Sequence, residues 1–577
     1  MLQGPRLLIL VGFGGFALAV YTTFAMRSSP RPVARRIVFL SAITLAILGL
    51  AVPTFASAYN AHPKLVVVIV IDQFRGDYLE RYRDDFGDAG FRLLLDHGAY
   101  FSNCNYNYAN TRTAPGHSTL FTGAYTIGNG IVSNEWWDPG KKAMVTSVED
   151  ETTKLLGVNG NKPGASPHNL MADTLGDELK LATQGRSRVF AISLKDRAAV
   201  LPGGFAADGA YWIEPQRGEW ITSTYYRSSL PQWVLDFNAR QITKYWNRDW
   251  KDAQGVTLRS TEHRKKKDGT EAGFYEVVGP TSFGNEYELE FARNLILYEN
   301  VGRGPTTDLL SISLSPNDIL GHEVGPDSPQ MRQMALDLDR DLADFFDFLG
   351  HQIGLADTWI VLSADHGVAS LPEQVEKLRI PAANLDRARI EAQINSEIAA
   401  RFAHGRAGSF VKFDYPLMWL DEQTFAALHI PEREAEQAVG EAMERTANLR
   451  GYYTKSQLAA GDAPNTALGR KYLNSYSPEG SWYVMGVPNI YTLGFGGGTD
   501  HVSPYNYDTH VPLAFYGLPF QPGTYRTSAE PIDMVETLAS LLGINAPTHA
   551  VGRVLTEALA PLHHAANFNS SNGENRP

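Results

Sequence analysis

The segment Leu65-Val-Val-Val-Ile-Val-Ile71, followed directly by Asp72, decides the fold class of this chain. An unbroken run of apolar, mostly β-branched residues is typical of a strand buried on both faces of a parallel sheet. Similar runs, each ending on polar or charged residues, are Val189–Leu194, Leu309–Leu314, Trp359–Ser363 and Val511–Tyr516. Helical patterns lie between them, as in the spacing of Leu338 and Leu342. We therefore predict an α/β fold in which helices flank a mostly parallel central sheet.

Two long intervals, 202–308 and 371–490, interrupt this alternation of strands and helices. The first is rich in aromatic residues and glycine, and its run Arg264-Lys-Lys-Lys-Asp268 is typical of a solvated loop. The second alternates between helical and strand-like patterns. We predict that both are insertions that form a cap over the sheet edge, within a single domain of residues 59–562. The polar tail, 563–577, is expected to be disordered.

The composition restricts the possible function classes. The chain has 577 residues, of which 44% are hydrophobic and 20% charged, as in a folded globular protein. Its formal net charge of −12 argues against a nucleic-acid-binding protein, which needs a basic face. The single cysteine, Cys104, excludes an internal disulfide framework, cysteine-rich zinc sites and an iron–sulfur cluster. Any metal site must therefore be built from histidine and carboxylate side chains.

The amino-terminal segment, 1–58, has the pattern of an export signal. A basic stretch precedes an apolar run, Ile37–Val52, and a small-residue motif that ends at Ala58. We predict cleavage after Ala58 and interpret the residues before Met26 as an unused upstream start. In the alternative interpretation, Leu7–Met26 is a transmembrane anchor of minimum length. The export prediction places the mature protein in the periplasm or outside the cell, without stable membrane association.

Acidic and histidine residues follow three of the predicted strands, and two histidines precede the last one. They are Asp72, the pair Asp318 and His322, the pair Asp365 and His366, and two late histidines, His501 and His510. The four-residue spacing of Asp318 and His322 puts both side chains on one side of a helical turn. Ligands of open α/β sheets bind at the carboxyl ends of the strands, so we expect these side chains to meet there. Three carboxylates and three histidines match a two-metal site with mixed nitrogen and oxygen ligands, which suits zinc.

The motif Thr113-Ala-Pro-Gly-His117 is typical of a helix start, because proline is tolerated in the first turn. Two interpretations of Thr113 remain open at this point. It caps the helix, or it is a nucleophile beside free helical amides that can hold an anion. A threonine hydroxyl is a poor nucleophile near neutral pH, and coordination to a divalent metal is one way to activate it.

Taken together, these motifs resemble the alkaline phosphatase superfamily, and most closely its exported, single-chain, phosphate-irrepressible members of the PafA type. The resemblance covers about residues 64–556. The motifs that carry it are Val70–Arg75, Thr113–His117, Ile131–Trp136, Ser193–Arg197, Asn317–His322, Ala364–Gly367 and His501–Pro512. Their order and approximate spacing agree with that family. The resemblance implies an alkaline-phosphatase-like fold.

The resemblance also implies a metal centre of two zinc ions. One zinc would be held by Asp72, Asp365 and His366, with the Thr113 oxygen also bound to it. The other would be held by Asp318, His322 and a late histidine. We favour His501, which follows a glycine-rich stretch, although Val502 replaces the usual glycine after it. His510 is the alternative.

The remaining roles concern the substrate. The resemblance implies that Thr113 is the nucleophile, where better-known members use serine. Asn134 would donate to a phosphoryl oxygen, and Lys195 and Arg197, two apart on a strand end, would project toward the same oxygens. Lysine supplies a point charge and arginine a bidentate fork for phosphate.

The implied activity is hydrolysis of small phosphate monoesters, through a covalent phosphothreonine, by a monomeric enzyme. The alternative is a phosphodiesterase or nucleotide pyrophosphatase on the same scaffold. A diester carries one negative charge fewer, so Lys195 and Arg197 favour monoesters. A sulfatase is disfavoured because the Thr113 motif lacks the C/S-x-P-x-R pattern. A non-enzymatic metal-binding protein is disfavoured because every expected ligand type is present.

Overall fold

The computed structural model describes residues 62–494 and 497–560 as strands and helices around a large central sheet. The strands are, in chain order, β1 (Leu65–Ile71), β2 (Ala99–Asn105), β3 (Glu135–Asp138), β4 (Ala143–Thr146), β5 (Glu149–Leu156), β6 (Pro163–Ala165), β7 (Val189–Ser193), β8 (Gly209–Ile213), β9 (Trp220–Ser223), β10 (Asp249–Lys251), β11 (Thr257–Ser260), β12 (Asp308–Leu314), β13 (Thr358–Ser363), β14 (Ala383–Asn384), β15 (Val411–Asp414), β16 (Leu417–Leu420), β17 (Leu449–Thr454), β18 (Tyr483–Pro488), β19 (Thr492–Leu493), β20 (His510–Tyr516) and β21 (Gly523–Tyr525). The helices are α1 (Tyr78–Arg81), α2 (Phe91–His97), α3 (Thr113–Thr122), α4 (Thr126–Asn129), α5 (Leu175–Ala182), α6 (Asp196–Gly203), α7 (Gln232–Gln241), α8 (Phe274–Val277), α9 (Ser282–Tyr298), α10 (Pro316–Val324), α11 (Pro329–Gln352), α12 (Pro372–Lys377), α13 (Arg387–Phe402), α14 (Glu422–Ala427), α15 (Glu432–Thr446), α16 (Lys455–Ala459), α17 (Ala467–Ser475), α18 (Asn506–Thr509) and α19 (Asp533–Leu542).

Eleven strands form the central sheet in the order β21-β2-β20-β13-β1-β12-β7-β8-β9-β5-β6. The block from β13 to β8 is parallel throughout, and β1 lies in it between β13 and β12. Outside this block, β21 pairs parallel with β2, and the other neighbours pair antiparallel. The predicted α/β class, with a mostly parallel centre flanked by helices, is therefore confirmed.

One predicted strand, Val511–Tyr516, runs opposite to the direction expected of a parallel sheet. It forms most of β20, which pairs antiparallel with both β13 and β2. The reason is that a strand inside a sheet is buried on both faces whichever way it runs, so its composition does not specify its direction.

The core of the molecule lies on the two faces of the sheet. Every residue of β1 is buried, and α9 and α11 contribute apolar side chains to the same cluster. The residues of α11 with helical spacing, such as Leu338 and Leu342, are buried in it. Asp339, on another face of α11, is buried as well, because its carboxylate accepts the backbone N–H groups of Gly87 and Phe91.

The two long intervals differ in structure. The interval 202–308 is in part a continuation of the central sheet, because β8 and β9 extend it beyond β7. The interval 371–490 forms a separate sheet, β15-β16-β18-β17, with α13 and α15 packed against it around its own apolar cluster. That both segments cover the edge of the central sheet stays a prediction.

Three sequence predictions concern residues outside the described ranges. They are the export signal of residues 1–58, its cleavage after Ala58, and disorder in the tail, 563–577. Among the helices of residues 62–494 and 497–560, none combines the length and the apolar character needed to cross a bilayer.

Candidate active site

The polar residues that follow β1, β12 and β13 meet at one edge of the sheet. Parallel pairing places Ile71 beside Leu314 and Val70 beside Ser363, so these strands end at the same level. Each chain then continues into a polar segment: Asp72 after β1, α10 after β12, and Asp365 after β13. The register of the sheet thus brings together residues that are almost 300 positions apart.

The first group of candidate ligands consists of Asp72, Asp365 and His366. All three are fully buried, and their ligand atoms lie within 4.8 Å of one another. The His366 Nε2 atom lies 3.6 Å from a carboxylate oxygen of each aspartate. In the described part of the chain, the buried atoms Asp72 Oδ1 and His366 Nε2 have no hydrogen-bond partner. Since such atoms are costly when unpaired, this group fits a bound cation.

The second group consists of Asp318, His322 and His501. Asp318 and His322 lie one turn apart on α10, and His322 Nε2 is 3.1 Å from Asp318 Oδ1. His501 Nε2 lies 3.9 Å from the same oxygen. The other ring nitrogens of both histidines face backbone carbonyls, those of Thr499 and Thr111, which orient the Nε2 atoms toward Asp318. The groups adjoin, because the rings of His366 and His501 stack 3.7 Å apart.

The pKa shifts of His501, His366 and Asp365 favour the forms that bind a metal ion. Burial lowers the pKa of His501, and the neighbouring His366 and His322 rings lower it further. Burial also lowers the pKa of His366. Burial raises the pKa of Asp365, but His366 and His117 outweigh it and hold the value at about 2. Neutral imidazoles and ionised carboxylates are the forms that bind a divalent cation. Two other candidate ligands shift the opposite way: burial raises the pKa of Asp72, and burial lowers the pKa of His322 but Asp318 outweighs it and raises the value to about 9.

The structure separates the two late histidines. His501 joins the second group, whereas His510 is the first residue of β20 and belongs to neither group. Its Nε2 atom lies 3.0 Å from the Ser102 carbonyl oxygen. The ring packs against Gly76, where a Cβ atom would lie only 2.7 Å from it. The geometry thus gives His510 a packing position.

The loop that carries His501 is held in an unusual conformation. Val502 has a φ of +85°, a region that β-branched residues strongly disfavour. The Thr111 hydroxyl accepts the backbone N–H groups of Val502 and Ser503, each at 3.0 Å. The Thr111 carbonyl faces the His501 ring. Thr111 therefore fixes the loop where valine replaces the usual glycine.

Thr113 is the first residue of α3 and is buried at the same edge of the sheet. The next backbone N–H, that of Ala114, donates to the Asn134 side-chain oxygen at 2.8 Å. This bond leaves the Asn134 amide N–H groups as donors for another partner. Gly116 allows α3 to approach Asp365, because a Cβ atom there would lie 2.4 Å from the Asp365 carbonyl oxygen.

Lys195 lies between the two groups of candidate ligands. Its Nζ atom is 2.7 Å from Asp72 Oδ2 and 2.5 Å from Asp318 Oδ2. Burial lowers the pKa of Lys195, but Asp318 and Asp72 outweigh this and hold it well above its usual value. The side chain is therefore an ammonium that touches one carboxylate of each group.

Arg197 lies beside Lys195, but not on a strand as expected from the sequence. β7 ends at Ser193, Lys195 caps α6, and Arg197 belongs to its first turn. The guanidinium is partly exposed, and its closest carboxylate is that of Asp196 at 3.7 Å. Both cations line the same cavity, so they can act on one ligand.

Gln73 and Asn317 hold the candidate ligands in position, although the sequence pattern gives neither of them a role. The Gln73 side chain donates to Asp318 at 2.9 Å and its backbone N–H donates to Asp365 at 3.1 Å, so it connects both groups. The Asn317 amide donates to the Asp72 carbonyl oxygen at 2.9 Å. Their positions directly beside Asp72 and Asp318 are the available sequence signal, since polar residues there face the same edge.

Arg112 connects the start of α3 to the separate sheet of residues 371–490. Its guanidinium donates to the Asp414 carboxylate at 2.8 Å and to the Tyr415 carbonyl oxygen at 2.7 Å. A third bond reaches Ser133, directly before Asn134. These bonds tie the position of Thr113 to the interval that the sequence predicts to be a cap.

His117 also braces the site, although its motif alone gave it no role. Its Nδ1 atom lies 2.8 Å from the Thr113 carbonyl oxygen and 3.2 Å from Asp365, and its Nε2 atom lies 2.7 Å from Ser313. Because both neighbours of Nδ1 are acceptors, this nitrogen carries the proton and Nε2 accepts the Ser313 hydroxyl. The ring thus joins Thr113 to a candidate ligand.

We expect the substitution His117→Ala to lower metal affinity about 10- to 100-fold, as for other residues that orient a ligand. His117→Asn, which keeps a donor near Nδ1, should retain more of it. Zinc titration of the apoprotein measures this, with the exposed His351→Ala as control. Equal zinc affinity in His117→Ala and wild type would contradict the bracing role.

The chain is similar to known proteins over most of its length. The family model of type I phosphodiesterase / nucleotide pyrophosphatase matches residues 66–467. The alkaline phosphatase PhoV of Synechococcus elongatus is 32% identical, over 86% of this chain and 93% of its own length. The alkaline phosphatase PafA of Elizabethkingia meningoseptica is 30% identical, over 86% of this chain and 94% of its own length.

A solved structure shows the same fold. The crystal structure of wild-type alkaline phosphatase PafA superimposes with a TM-score of 0.77 at 29% identity, over 86% of this chain and 99% of that chain. This chain therefore belongs to the type I phosphodiesterase / nucleotide pyrophosphatase family, within the alkaline phosphatase superfamily, and it is a phosphoester hydrolase.

Proposed function

We propose that this enzyme hydrolyses small phosphate monoesters to an alcohol and inorganic phosphate, through a covalent intermediate on Thr113. The observation that carries the proposal is the position of Lys195 and Arg197. Lys195 contacts a carboxylate of each candidate metal group, and Arg197 faces the same cavity. Two cations suit the non-bridging oxygens of a dianionic monoester, which carries one more negative charge than a diester.

Two zinc ions are the proposed cofactors. Asp72, Asp365, His366 and the Thr113 oxygen would hold one ion, and Asp318, His322 and His501 the other. These mixed nitrogen and oxygen donors suit zinc, and the unpaired buried atoms Asp72 Oδ1 and His366 Nε2 support the first site. When bound, such ions supply positive charge to the reacting oxygens and lower the pKa of a coordinated hydroxyl or water.

The residues of the chain would act in two steps. Lys195, Arg197 and the Asn134 amide hold the phosphoryl oxygens, so that phosphorus faces Thr113. The Thr113 oxygen then forms a bond to phosphorus while the bond to the ester oxygen breaks, which releases the alcohol. Water next attacks the phosphothreonine, releases inorganic phosphate and restores the Thr113 hydroxyl. Fixed cations and amides stabilise the charge in both transition states.

The second candidate function is hydrolysis of phosphodiesters or nucleotide pyrophosphates. It is favoured by the family model, whose description names both activities. The same Thr113 and metal groups would serve that reaction. A direct comparison of a monoester with a diester decides between the two functions.

Chelation tests the need for metal. We expect a strong chelator to abolish release of phosphate from an aryl phosphate, and we expect zinc to restore it to most of its starting value. The reason is that the residues of the two candidate groups supply ligands, whereas the charge that activates a hydroxyl or a water has to come from the bound metal ion. Elemental analysis of the active protein should give two zinc ions per chain. Full activity of a protein shown to hold no metal would contradict the proposal.

The location and assembly of the enzyme are also proposals. We propose that it is exported to the periplasm or the medium as a monomer, without stable membrane association. Export is supported by the signal-like pattern that ends at Ala58. Sequencing the amino terminus of the secreted protein tests the export proposal, because cleavage after Ala58 leaves Tyr59 as the first residue.

A further inference from the structure

A cavity of about 420 Å³ opens beside Lys195. The buried residues Leu194 and Lys195, after β7, form its inner end. The exposed residues Lys162 and Pro215 also line it and mark its outer end. Its volume falls in the range of small-molecule sites. The cavity therefore reaches from solvent to Lys195, the residue whose ammonium lies between the two candidate metal groups.

The side wall of this cavity is apolar. Trp212 and Ile213 at the end of β8 and Ile221 on β9 are buried, and they line the cavity. Leu155 on β5 and Val158 after it are half-buried and complete the wall. Burial of apolar surface against such a wall favours an apolar ligand group over a polar one.

The inner end of the cavity has the opposite character. Arg197 and Tyr275 line it together with Lys195. The Arg197 Nε atom is buried and has no hydrogen-bond partner among residues 62–494 and 497–560. Tyr275 is held in place because its backbone N–H donates to the Pro215 carbonyl oxygen at 3.0 Å. The acidic residues Asp196 and Glu214 line the cavity as well, so it combines a charged part, whose cations are Lys195 and Arg197, with an apolar wall.

We propose that this cavity is the subsite for the alcohol group of the substrate, and that it selects phosphate monoesters of aromatic or branched aliphatic alcohols. The inference rests on the proposed monoesterase function. A monoester has a single organic group, so a phosphoryl group held by Lys195 and Arg197 leaves the alcohol group for the apolar wall. A glycerol or sugar group would bury hydroxyls against Trp212 and Ile221 without partners, which is unfavourable.

The test compares 1-naphthyl phosphate with methyl phosphate in wild type and variants. Because the two alcohols differ in intrinsic reactivity, the readout is the change in the ratio of their kcat/KM values on mutation. We expect Trp212→Ala to lower that ratio, naphthyl over methyl, about tenfold or more. Leu155→Asn, at a half-buried position, should lower it in the same direction and serves if Trp212→Ala does not fold.

The matched control is Trp246→Ala, since Trp246 stacks on His263 and does not line the cavity. It should leave the ratio unchanged within twofold. An unchanged ratio in the folded Trp212 or Leu155 variant, with both esters hydrolysed, would overturn this inference and leave the monoesterase function standing. Failure of the wild type to hydrolyse either ester would overturn the monoesterase function, and the inference with it.

Discussion

Replacing Thr113 with alanine is expected to lower kcat/KM for a simple aryl phosphate by at least about a thousandfold. Thr113 is the first residue of α3, its neighbour Ala114 is fixed by Asn134, and His117 ties its carbonyl to Asp365. The alanine variant keeps these backbone bonds and loses the hydroxyl together with the γ-methyl group. Steady-state release of phosphate measures the effect.

The controls separate loss of the nucleophile from loss of the fold. Thr113→Ser keeps a hydroxyl and should retain much of the activity. Thr122→Ala removes another buried hydroxyl of α3, one that bonds to the Ser118 carbonyl, and should change activity by only a few fold. Metal content should persist in Thr113→Ala, because Asp72, Asp365 and His366 remain. Wild-type turnover in that variant would show that the nucleophile assignment is wrong.

Replacing Lys195 with alanine is expected to lower kcat/KM for a monoester about a hundredfold or more, and for a diester less than tenfold. The ammonium contacts Asp72 and Asp318 and is buried, so its charge acts at short range and with little screening. A monoester offers it one more negative charge than a diester does. The ratio of the two kcat/KM values is the measurement.

The same substitution also removes the ion pairs with two candidate ligands. Assays at saturating zinc, with the metal content of each variant measured, separate a loss of metal from a loss of substrate binding. Arg197→Ala should change the ratio in the same direction, whereas Lys154→Ala, at an exposed position, should not change it. Equal losses for monoester and diester in both variants would favour the diesterase function.

Local sequence was sufficient for five of the eleven described strands of the central sheet, β1, β7, β12, β13 and β20, and for the start of α3. The apolar runs form strands of the central sheet, because a strand that is buried on both faces needs apolar side chains on both. Thr113 is the first residue of α3, and Pro115 lies in the first turn of the helix, where proline is tolerated. The direction of β20 could not be predicted in the same way, because antiparallel and parallel neighbours bury the same side chains.

Local sequence was also insufficient to decide whether His501 or His510 joins the second group of candidate ligands. Both histidines belong to one short segment with polar neighbours. The backbone turn at Val502, held by Thr111, directs the His501 ring toward Asp318, while β20 carries His510 toward Gly76. Long-range contacts with a residue nearly 400 positions away therefore made this distinction.

The sequence by itself determined which chemical groups are available: the carboxylates, imidazoles and cations of a phosphoester hydrolase, most of them after an apolar run. Only the tertiary structure decided how they group, with Lys195 in contact with Asp72 and Asp318 and with an apolar cavity beside it. The physical reason is that residue types follow from local burial, whereas distances between chemical groups follow from strand register and from bonds between remote segments.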